Sequence, residues 1–161
     1  PFRRWPGTGE HHHMTPFETP ESQAADPDCI FCKIVSGELP SRRIYEDDRA
    51  VAFLDIGAWH RGHALVVPKR HVPDMLTGPA TLAEIAPAID AVARLLMDRL
   101  DADGINLLSS TGEAAGQEVF HLHVHVVPRY ADEPGLRQLV NAGVVPDGEL
   151  DSVYRQIKAG A

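Results

Sequence analysis

The chain has 161 residues, of which 43% are hydrophobic and 24% charged, and its formal net charge is -8 at pH 7. These values predict one folded domain with an ordinary hydrophobic core. No cluster of lysine and arginine follows a predicted helix or strand, so we expect no nucleic-acid partner, because such binding requires many neutralised phosphates. No apolar run is long enough to cross a bilayer and no secretory signal is apparent, so we expect no membrane partner and a cytoplasmic location.

The two ends of the chain are set apart from this domain by their composition. Residues 1–14 read as the remnant of an expression tag, because three histidines precede Met14, the expected native start. Residues 15–28 are rich in Pro, Glu, Thr and Asp and are predicted to form a flexible arm. The folded domain is assigned to 29–130, and 131–161 is expected to be a C-terminal helical extension.

Apolar periodicity and turn residues predict the elements between these ends. Strands are expected at 41–45, 49–54, 63–67, 105–109 and 119–129, and weaker helices at 136–141 and 149–158. A short helix at 29–35 should end at Gly37, and a main helix should begin near Thr81, where Thr-x-x-Glu forms a capping box with Glu84. Apolar side chains then recur at helical spacing: Ile85, Ile89, Val92, Leu95, Leu96 and Leu100. Pro87 predicts a kink or a second helix start, and the whole pattern indicates an α+β domain with an antiparallel sheet.

The most informative segment is 119–129, in which His121, His123 and His125 alternate with apolar residues. In a strand these histidines would share one face, while Leu122, Val124 and Val126 would point into a core. Three imidazoles on one rigid face suit metal binding, proton transfer or nucleophilic attack. A strand face that is merely histidine-rich is the weaker interpretation, because buried polar groups need partners.

The two cysteines form a second motif, Cys29-x-x-Cys32. Such close spacing in a chain of intracellular character predicts reduced thiols rather than a structural disulfide. A metal site, a redox pair and two inert thiols remain open, with the metal site favoured because nothing nearby resembles a thioredoxin setting. Zinc prefers four Cys and His ligands, so two histidines would have to join the pair.

Five ordered blocks of sequence resemble the histidine triad (HIT) superfamily, most closely its bacterial and Hint-like branch. They are the triad with its flanks at 115–129 and the segments 29–40, 45–48, 52–56 and 62–71, so the resemblance spans about 29–130. It implies a HIT-like α+β fold, with a five-stranded antiparallel sheet and one main helix, paired into a homodimer.

The resemblance also implies a nucleotide hydrolase or transferase that acts at an α-phosphate. His123 would attack phosphorus, a backbone carbonyl near His121 would fix its tautomer, and His125 would hold a phosphate oxygen or help to protonate the leaving group. The implied substrate is an AMP-like purine nucleotide, and no Mg²⁺ is expected, since histidines and backbone donors can stabilise the charge. A purine nucleoside phosphoramidase is the leading interpretation. The alternatives are a dinucleoside polyphosphate hydrolase, a nucleotide-binding adaptor with little turnover, and a metal-binding protein whose whole triad ligates zinc.

Binding residues are carried over from the resemblance position by position. Asp55 matches the position that holds the ribose hydroxyls, and His63 a fourth histidine at the phosphate site. The apolar nucleoside pocket corresponds to Phe31, Ile34, Phe53, Ile56 and Leu65, and Ser110 and Gln117 complete the predicted substrate-binding set. The structural zinc site corresponds to Cys29, Cys32, His71 and His121.

The sequence departs from the family pattern in three places, and two of them, Ser110 and Glu118, leave the leaving group open. Ser110 stands where asparagine is frequent, and Glu118 where the Hint branch often has serine. The stretch 57–61 lacks the usual proline-bearing turn and contains Trp59, which would alter the pocket rim or belong only to a surface loop. If the strand begins at His121, its parity places Glu118 on the opposite face from the triad.

Overall fold

The computed structural model describes residues 25–78, 80–132 and 147–159, and a five-stranded antiparallel sheet organises it. The strands run in the order β1-β2-β3-β5-β4 across the sheet. They are β1 Arg43–Glu46, β2 Ala50–Leu54, β3 Ala64–Pro68, β4 Gly104–Leu108 and β5 Val124–Arg129. The predicted antiparallel sheet is confirmed, and the first four strands lie within about two residues of their expected positions.

The described residues form three α-helices: α1 Ile30–Ser36, α2 Thr81–Leu100 and α3 Asp147–Ala159. The side chain of Cys29 caps α1, and Gly37 ends it in the left-handed region at φ 82°, where glycine carries no Cβ penalty. The helix expected at 149–158 corresponds to α3, whereas the pattern at 136–141 lies outside the described residues, as do 1–24. No helix among the described residues has the length and hydrophobicity needed to cross a membrane.

The start of α2 differs from the sequence prediction. Ala80 is the N-cap, with φ 72° and no side-chain cap, so the predicted capping box is wrong. Thr81 and Glu84 instead accept hydrogen bonds from the guanidinium of Arg70, which follows β3. The helix is also continuous through Pro87, so the alternative of two separate helices is wrong.

The two faces of the sheet carry separate apolar clusters, as the two-residue period of a strand requires. On one face, Ala52, Val66 and Val126 pack with the buried stripe of α2. On the other face, Phe53 and Leu65 pack against α1. Leu65 pairs with His125 in the register of β3 and β5, which places this histidine on the α1 face.

The histidine run is only partly a strand, which corrects the prediction for 119–129. β5 begins at Val124, so His121 and His123 precede it in irregular backbone. Continuing the register would put Leu122 opposite Pro68, which has no N–H to donate to a ladder. Leu122 instead donates its N–H to the carbonyl of Val72 at 2.6 Å. The predicted alternation survives, because Leu122, Val124 and Val126 all enter the α2-side core.

Candidate active site and adjoining metal site

A cavity of about 1060 Å³ opens on the α1 side of the sheet, and the triad forms part of its wall. Nine of the eleven residues predicted to bind substrate or carry the chemistry, counted without the metal ligand His121, line this cavity. They are Phe31, Ile34, Phe53, Asp55, Ile56, Leu65, Ser110 and, from the triad, His123 together with His125. His63 and Gln117 lie behind the wall, and so does His121.

The apolar part of the cavity matches the predicted nucleoside pocket. Phe31, Ile34, Phe53 and Leu65 are buried, and the rings of Phe31 and Phe53 meet edge to face at 5.7 Å. Ile56 differs from these four, because it lies on the rim with 94% of its surface exposed. The pocket therefore offers a rigid aromatic and aliphatic wall, of the kind that binds a planar ring system.

One nitrogen of His123, Nδ1, is committed to a hydrogen bond with the backbone. Its Nδ1–H donates to the carbonyl of His121 at 2.7 Å, so a neutral ring carries its lone pair on Nε2. The carbonyl of His123 accepts from Ser109 Oγ at 2.8 Å, and the edge of Phe31 packs on its ring at 5.2 Å. Backbone and ring are thus both fixed, in the tautomer that leaves Nε2 nucleophilic.

His125 is held in the complementary way, through a chain of hydrogen bonds. The backbone N–H of Trp59 donates to His63 Nδ1 at 3.1 Å, so neutral His63 carries its hydrogen on Nε2. That Nε2–H donates to His125 Nδ1 at 2.8 Å, which leaves His125 with a hydrogen on Nε2. In the cavity wall, His123 therefore carries a lone pair on Nε2, and His125 carries an N–H donor on Nε2.

Burial keeps these two rings uncharged near neutral pH. Desolvation, followed by the nearby imidazoles of His123 and His63, lowers the pKa of His125 to about 4. Desolvation also lowers the pKa of His63, although the carboxylate of Asp55, whose Oδ2 lies 3.7 Å from His63 Nε2, opposes the shift. Trp59 N–H, His63 and His125 thus form a hydrogen-bonded relay. Uncharged rings in this relay are consistent with the tautomers derived from the hydrogen bonds.

The loop before the triad is stabilised by its own hydrogen bonds. Gln117, 3% exposed, accepts from the N–H of Gly112 and donates to the carbonyls of Pro73 and Val119. The N–H groups of Ala115, Gly116 and Gln117 are also bonded within the loop. Gln117 is therefore a brace for the loop, and these N–H groups are occupied in the arrangement described here.

Glu118, which follows this brace, lines the cavity and is exposed. The parity argument for this residue applied only to a strand that begins at His121, and it does not apply here, because β5 begins at Val124. Ser110 and Gly116 also line this cavity. A carboxylate thus belongs to the wall of the same cavity that His123 and His125 line.

A second cluster adjoins the triad on its buried side. The Sγ atoms of Cys29 and Cys32 and the Nδ1 atoms of His71 and His121 all lie within 4.8 Å of one another. The second nitrogen of His121 faces the carbonyl of Pro68 at 2.9 Å, which fixes its tautomer with the lone pair on Nδ1. The structure therefore brings together all four residues predicted to bind the metal.

The distances in this cluster suit a tetrahedral ion. Cys29 Sγ lies 3.4 Å from His121 Nδ1, and Cys32 Sγ lies 3.3 Å from His71 Nδ1 and 3.6 Å from His121 Nδ1. Zinc bond lengths with tetrahedral angles require sulfur–nitrogen separations of about 3.5 Å. Burial raises the pKa of the Cys32 thiol to about 11, so a bound cation would have to displace its proton. The donor set fits zinc, with all four positions supplied by protein.

Sequence reasoning missed two features of the site. Ser109 fixes the backbone of His123, yet a serine at the end of a strand carries no signal for that role. Trp59 stacks on His125, with ring centroids 4.9 Å apart and planes 17° from parallel. The departure at 57–61 marked this loop as unusual, but only the folded structure shows which ring the indole covers.

Comparison with known proteins agrees with this geometry. Residues 36–132 match the family described as HIT domain. Adenylylsulfatase HINT3 from Arabidopsis thaliana is 38% identical over 110 residues, which are 68% of this chain and 56% of that protein. The crystal structure of SMU.412c from Streptococcus mutans has a TM-score of 0.76 and 36% identity, covering 95% of this chain and 98% of that one. A zinc-bound histidine triad family protein from Mycobacterium smegmatis has a TM-score of 0.65 and 38% identity, covering 83% and 98%.

The chain belongs to the HIT family. Its five-stranded antiparallel sheet with a main helix is the fold of its structural neighbours. Family membership supports a hydrolase that binds nucleotides, and a zinc-bound relative together with the Cys and His cluster points to zinc.

Proposed function

We propose that this protein is a purine nucleoside phosphoramidase, which transfers a nucleotidyl group from an amine to His123 and then to water. The observation that carries the proposal is the tautomer of His123. Its Nδ1–H is committed to a backbone carbonyl at 2.7 Å, so the nucleophilic lone pair is on Nε2, in the wall of the cavity. Retention of all three triad histidines favours an enzyme over a nucleotide-binding adaptor.

The proposed reaction has two displacements at the α-phosphate. His123 Nε2 forms a bond to phosphorus while the bond from phosphorus to the amine nitrogen breaks, and that nitrogen takes up a proton from solvent. Water then attacks the nucleotidyl-histidine, giving the nucleoside monophosphate, restoring the lone pair on Nε2 and returning one proton. His125 Nε2–H would stabilise charge on a phosphate oxygen, so the step is proposed to need no Mg²⁺.

Three features support a nucleotide with an adenylyl group. The buried pocket of Phe31, Ile34, Phe53 and Leu65 suits a purine. Asp55 lines the same cavity, with a carboxylate oxygen within 4.8 Å of ring nitrogens of His63 and His125, and we assign it to the ribose hydroxyls. The relative HINT3 is named an adenylylsulfatase, a name that describes cleavage of AMP from a leaving group. The competing dinucleoside polyphosphate hydrolase is less favoured, because Glu118 adds negative charge to the cavity wall.

The proposal is tested by mass spectrometry of the protein mixed with an adenosine phosphoramidate and quenched in alkali. We expect an increase in mass of one adenylyl group, mapped to His123 after digestion. The variant His123→Ala should show no such adduct, and it serves as the control for labelling elsewhere. If the wild-type protein releases AMP without any adduct at His123, attack through this nitrogen is ruled out.

We further propose a structural zinc ion held by Cys29, Cys32, His71 and His121, and a cytoplasmic homodimer. The dimer is supported by Leu82 on α2 and Leu107 on the edge strand β4, exposed apolar side chains that line one groove. The apolar stripe of α2 adds little to this support, because Ile85, Ile89, Val92 and Leu96 are buried within the chain. Light scattering at micromolar concentration should give twice the chain mass, and a monomer mass would exclude the dimer.

A further inference from the structure

The loop between β2 and β3 places an unusual ring beside the triad. The indole of Trp59, 49% exposed, lines the cavity and lies nearly parallel to the imidazole of His125, with centroids 4.9 Å apart. It also contacts His63 at 4.6 Å between centroids. The same residue donates its backbone N–H to His63, so Trp59 contacts the relay through both its side chain and its main chain.

These contacts leave His125 one orientation. Its Nδ1 is bonded to His63 at 2.8 Å, one face is covered by the indole, and the ring of His123 meets it edge to face at 5.1 Å. Rotation about its terminal side-chain bond would break the hydrogen bond and lose the stacking together. Without the indole, the hydrogen bond to His63 would be the main restraint, and water would reach the uncovered face.

We propose that Trp59 is a positioning residue, whose indole and backbone N–H together hold His125 as an uncharged donor with its Nε2–H directed at the nucleotide phosphate. The inference rests on the proposed function, since it assigns the target of that donor. It also separates two roles for His125. A neutral imidazole donates a hydrogen bond without giving up its proton, so His125 would stabilise charge on a phosphate oxygen and would not protonate the leaving group.

Two AMP derivatives distinguish these roles. An alkylamine phosphoramidate needs a proton on its leaving nitrogen, whereas the p-nitrophenyl ester of AMP releases a stable phenolate without one. If Trp59 positions a donor for the phosphate, Trp59→Ala should lower kcat about tenfold for both substrates and change KM little. Trp59→Phe, which keeps an aromatic face, should retain most of the activity. Leu76→Ala, an exposed apolar side chain away from the cavity, should match the wild type.

The second readout is nitrogen NMR of the His125 ring in the same variants, without substrate. We expect the wild-type ring and the Trp59→Phe ring to be neutral and protonated on Nε2, and Trp59→Ala to show a mixture of tautomers. A kcat loss confined to the amine substrate would make His125 a general acid and overturn the inference. So would a change in KM alone, or an unchanged tautomer with unchanged kcat.

Failure of the proposed function would look different. In that case the wild-type protein would turn over neither AMP derivative and would form no adenylyl-histidine, whatever stands at residue 59. The NMR measurement would still report whether Trp59 sets the tautomer of His125. A single tautomer in Trp59→Ala would then overturn the positioning role by itself.

Discussion

The histidine run divides into a metal half at His121 and a cavity half at His123 and His125, and His121 and His123 are held in opposite tautomers. His121 is fully buried, and its Nε2–H donates to Pro68, so its lone pair on Nδ1 faces two thiols and His71. His123, two residues later, donates its Nδ1–H to the carbonyl of His121, so its lone pair on Nε2 faces the cavity side. One backbone carbonyl at each ring gives the two histidines opposite tautomers. The tautomer determines which nitrogen of each ring can bind a metal or act as a nucleophile.

The comparison also shows how the two halves are connected. The carbonyl that orients His123 belongs to His121, and His121 is anchored by the proposed metal site and by Pro68. In the proposed function, the metal half would give rigid support to the nucleophile, and the cavity half would supply the hydrogen-bond donor and the nucleotide pocket. We expect changes in the cavity half to reduce the rate, and changes in the metal half to reduce stability first.

The largest expected effect is on the nucleophile. His123→Ala removes the attacking atom, so turnover of an adenosine phosphoramidate should fall by about four orders of magnitude or more. AMP binding, measured by calorimetry, should change little, because the apolar pocket is intact. His125→Ala removes a hydrogen-bond donor and should cost about a hundredfold. Wild-type turnover in His123→Ala would show that another group is the nucleophile.

Loss of one of the four predicted metal ligands should lower both the zinc content and the stability of the protein. Protein purified without added metal should contain about one zinc per chain, and Cys32→Ser should lower that content and reduce the free energy of unfolding by about 3 kcal/mol or more. Elemental analysis and urea unfolding measure the two effects. Glu38→Ser, an exposed change beyond the end of α1, provides the control. Absence of zinc, together with two thiols that react freely in the folded protein, would contradict the site.

The buried relay should make stability depend on pH. The pKa of His125 is lowered to about 4 in the folded chain, against an ordinary value of 6.5, so the unfolded chain binds this proton first as the pH falls. Stability from this group is therefore complete above about pH 6.5 and is lost as the pH falls toward about 4, with a slope of up to about 1.4 kcal/mol per pH unit. The lowered pKa of His63 acts in the same direction.

Urea unfolding of His125→Phe, compared with the wild type, isolates the contribution of His125 to the pH dependence of stability. Between about pH 6.5 and pH 4 the variant should lose less stability than the wild type, and above that range the difference between the two should be constant. Equal pH slopes in the two proteins would mean that His125 binds its proton over the same pH range in the folded and unfolded chains, which would contradict the lowered pKa.

The sequence predicted much of this arrangement, for physical reasons that particular residues illustrate. Alternation placed Leu122, Val124 and Val126 in the core even though the strand begins only at Val124, because an extended chain keeps its two-residue period outside a ladder. Local sequence patterns could not predict contacts between segments that are distant along the chain. Thr81 and Glu84 looked like a capping box because nothing local reveals that Arg70 would reach them from the end of β3.

The cavity shows the same limit. Resemblance brought Phe31, Asp55, Leu65 and the triad to one place, where the structure also puts most of them. It could not tell which residues stand in the wall and which stand behind it. His63 and Gln117 act on other residues of the site through hydrogen bonds, a distinction that depends on side-chain placement.

The smallest expected effect concerns Glu118, the acidic residue in the cavity wall. A carboxylate near an anionic phosphate is unfavourable unless a positive group is close, and a protonated amine leaving group would supply one. The remaining phosphates of a dinucleoside polyphosphate would instead add negative charge. We therefore expect Glu118 to favour phosphoramidates with basic leaving groups. At an exposed position the effect is about 1 kcal/mol, which corresponds to about fivefold in a ratio of rates.

The measurement is kcat/KM for a lysyl adenylate phosphoramidate divided by kcat/KM for a diadenosine polyphosphate. Glu118→Ser should shift this ratio about fivefold toward the polyphosphate, while Glu38→Ser, which removes an exposed carboxylate outside the cavity wall, should leave it unchanged. An equal ratio in all three proteins would remove Glu118 from the determinants of specificity.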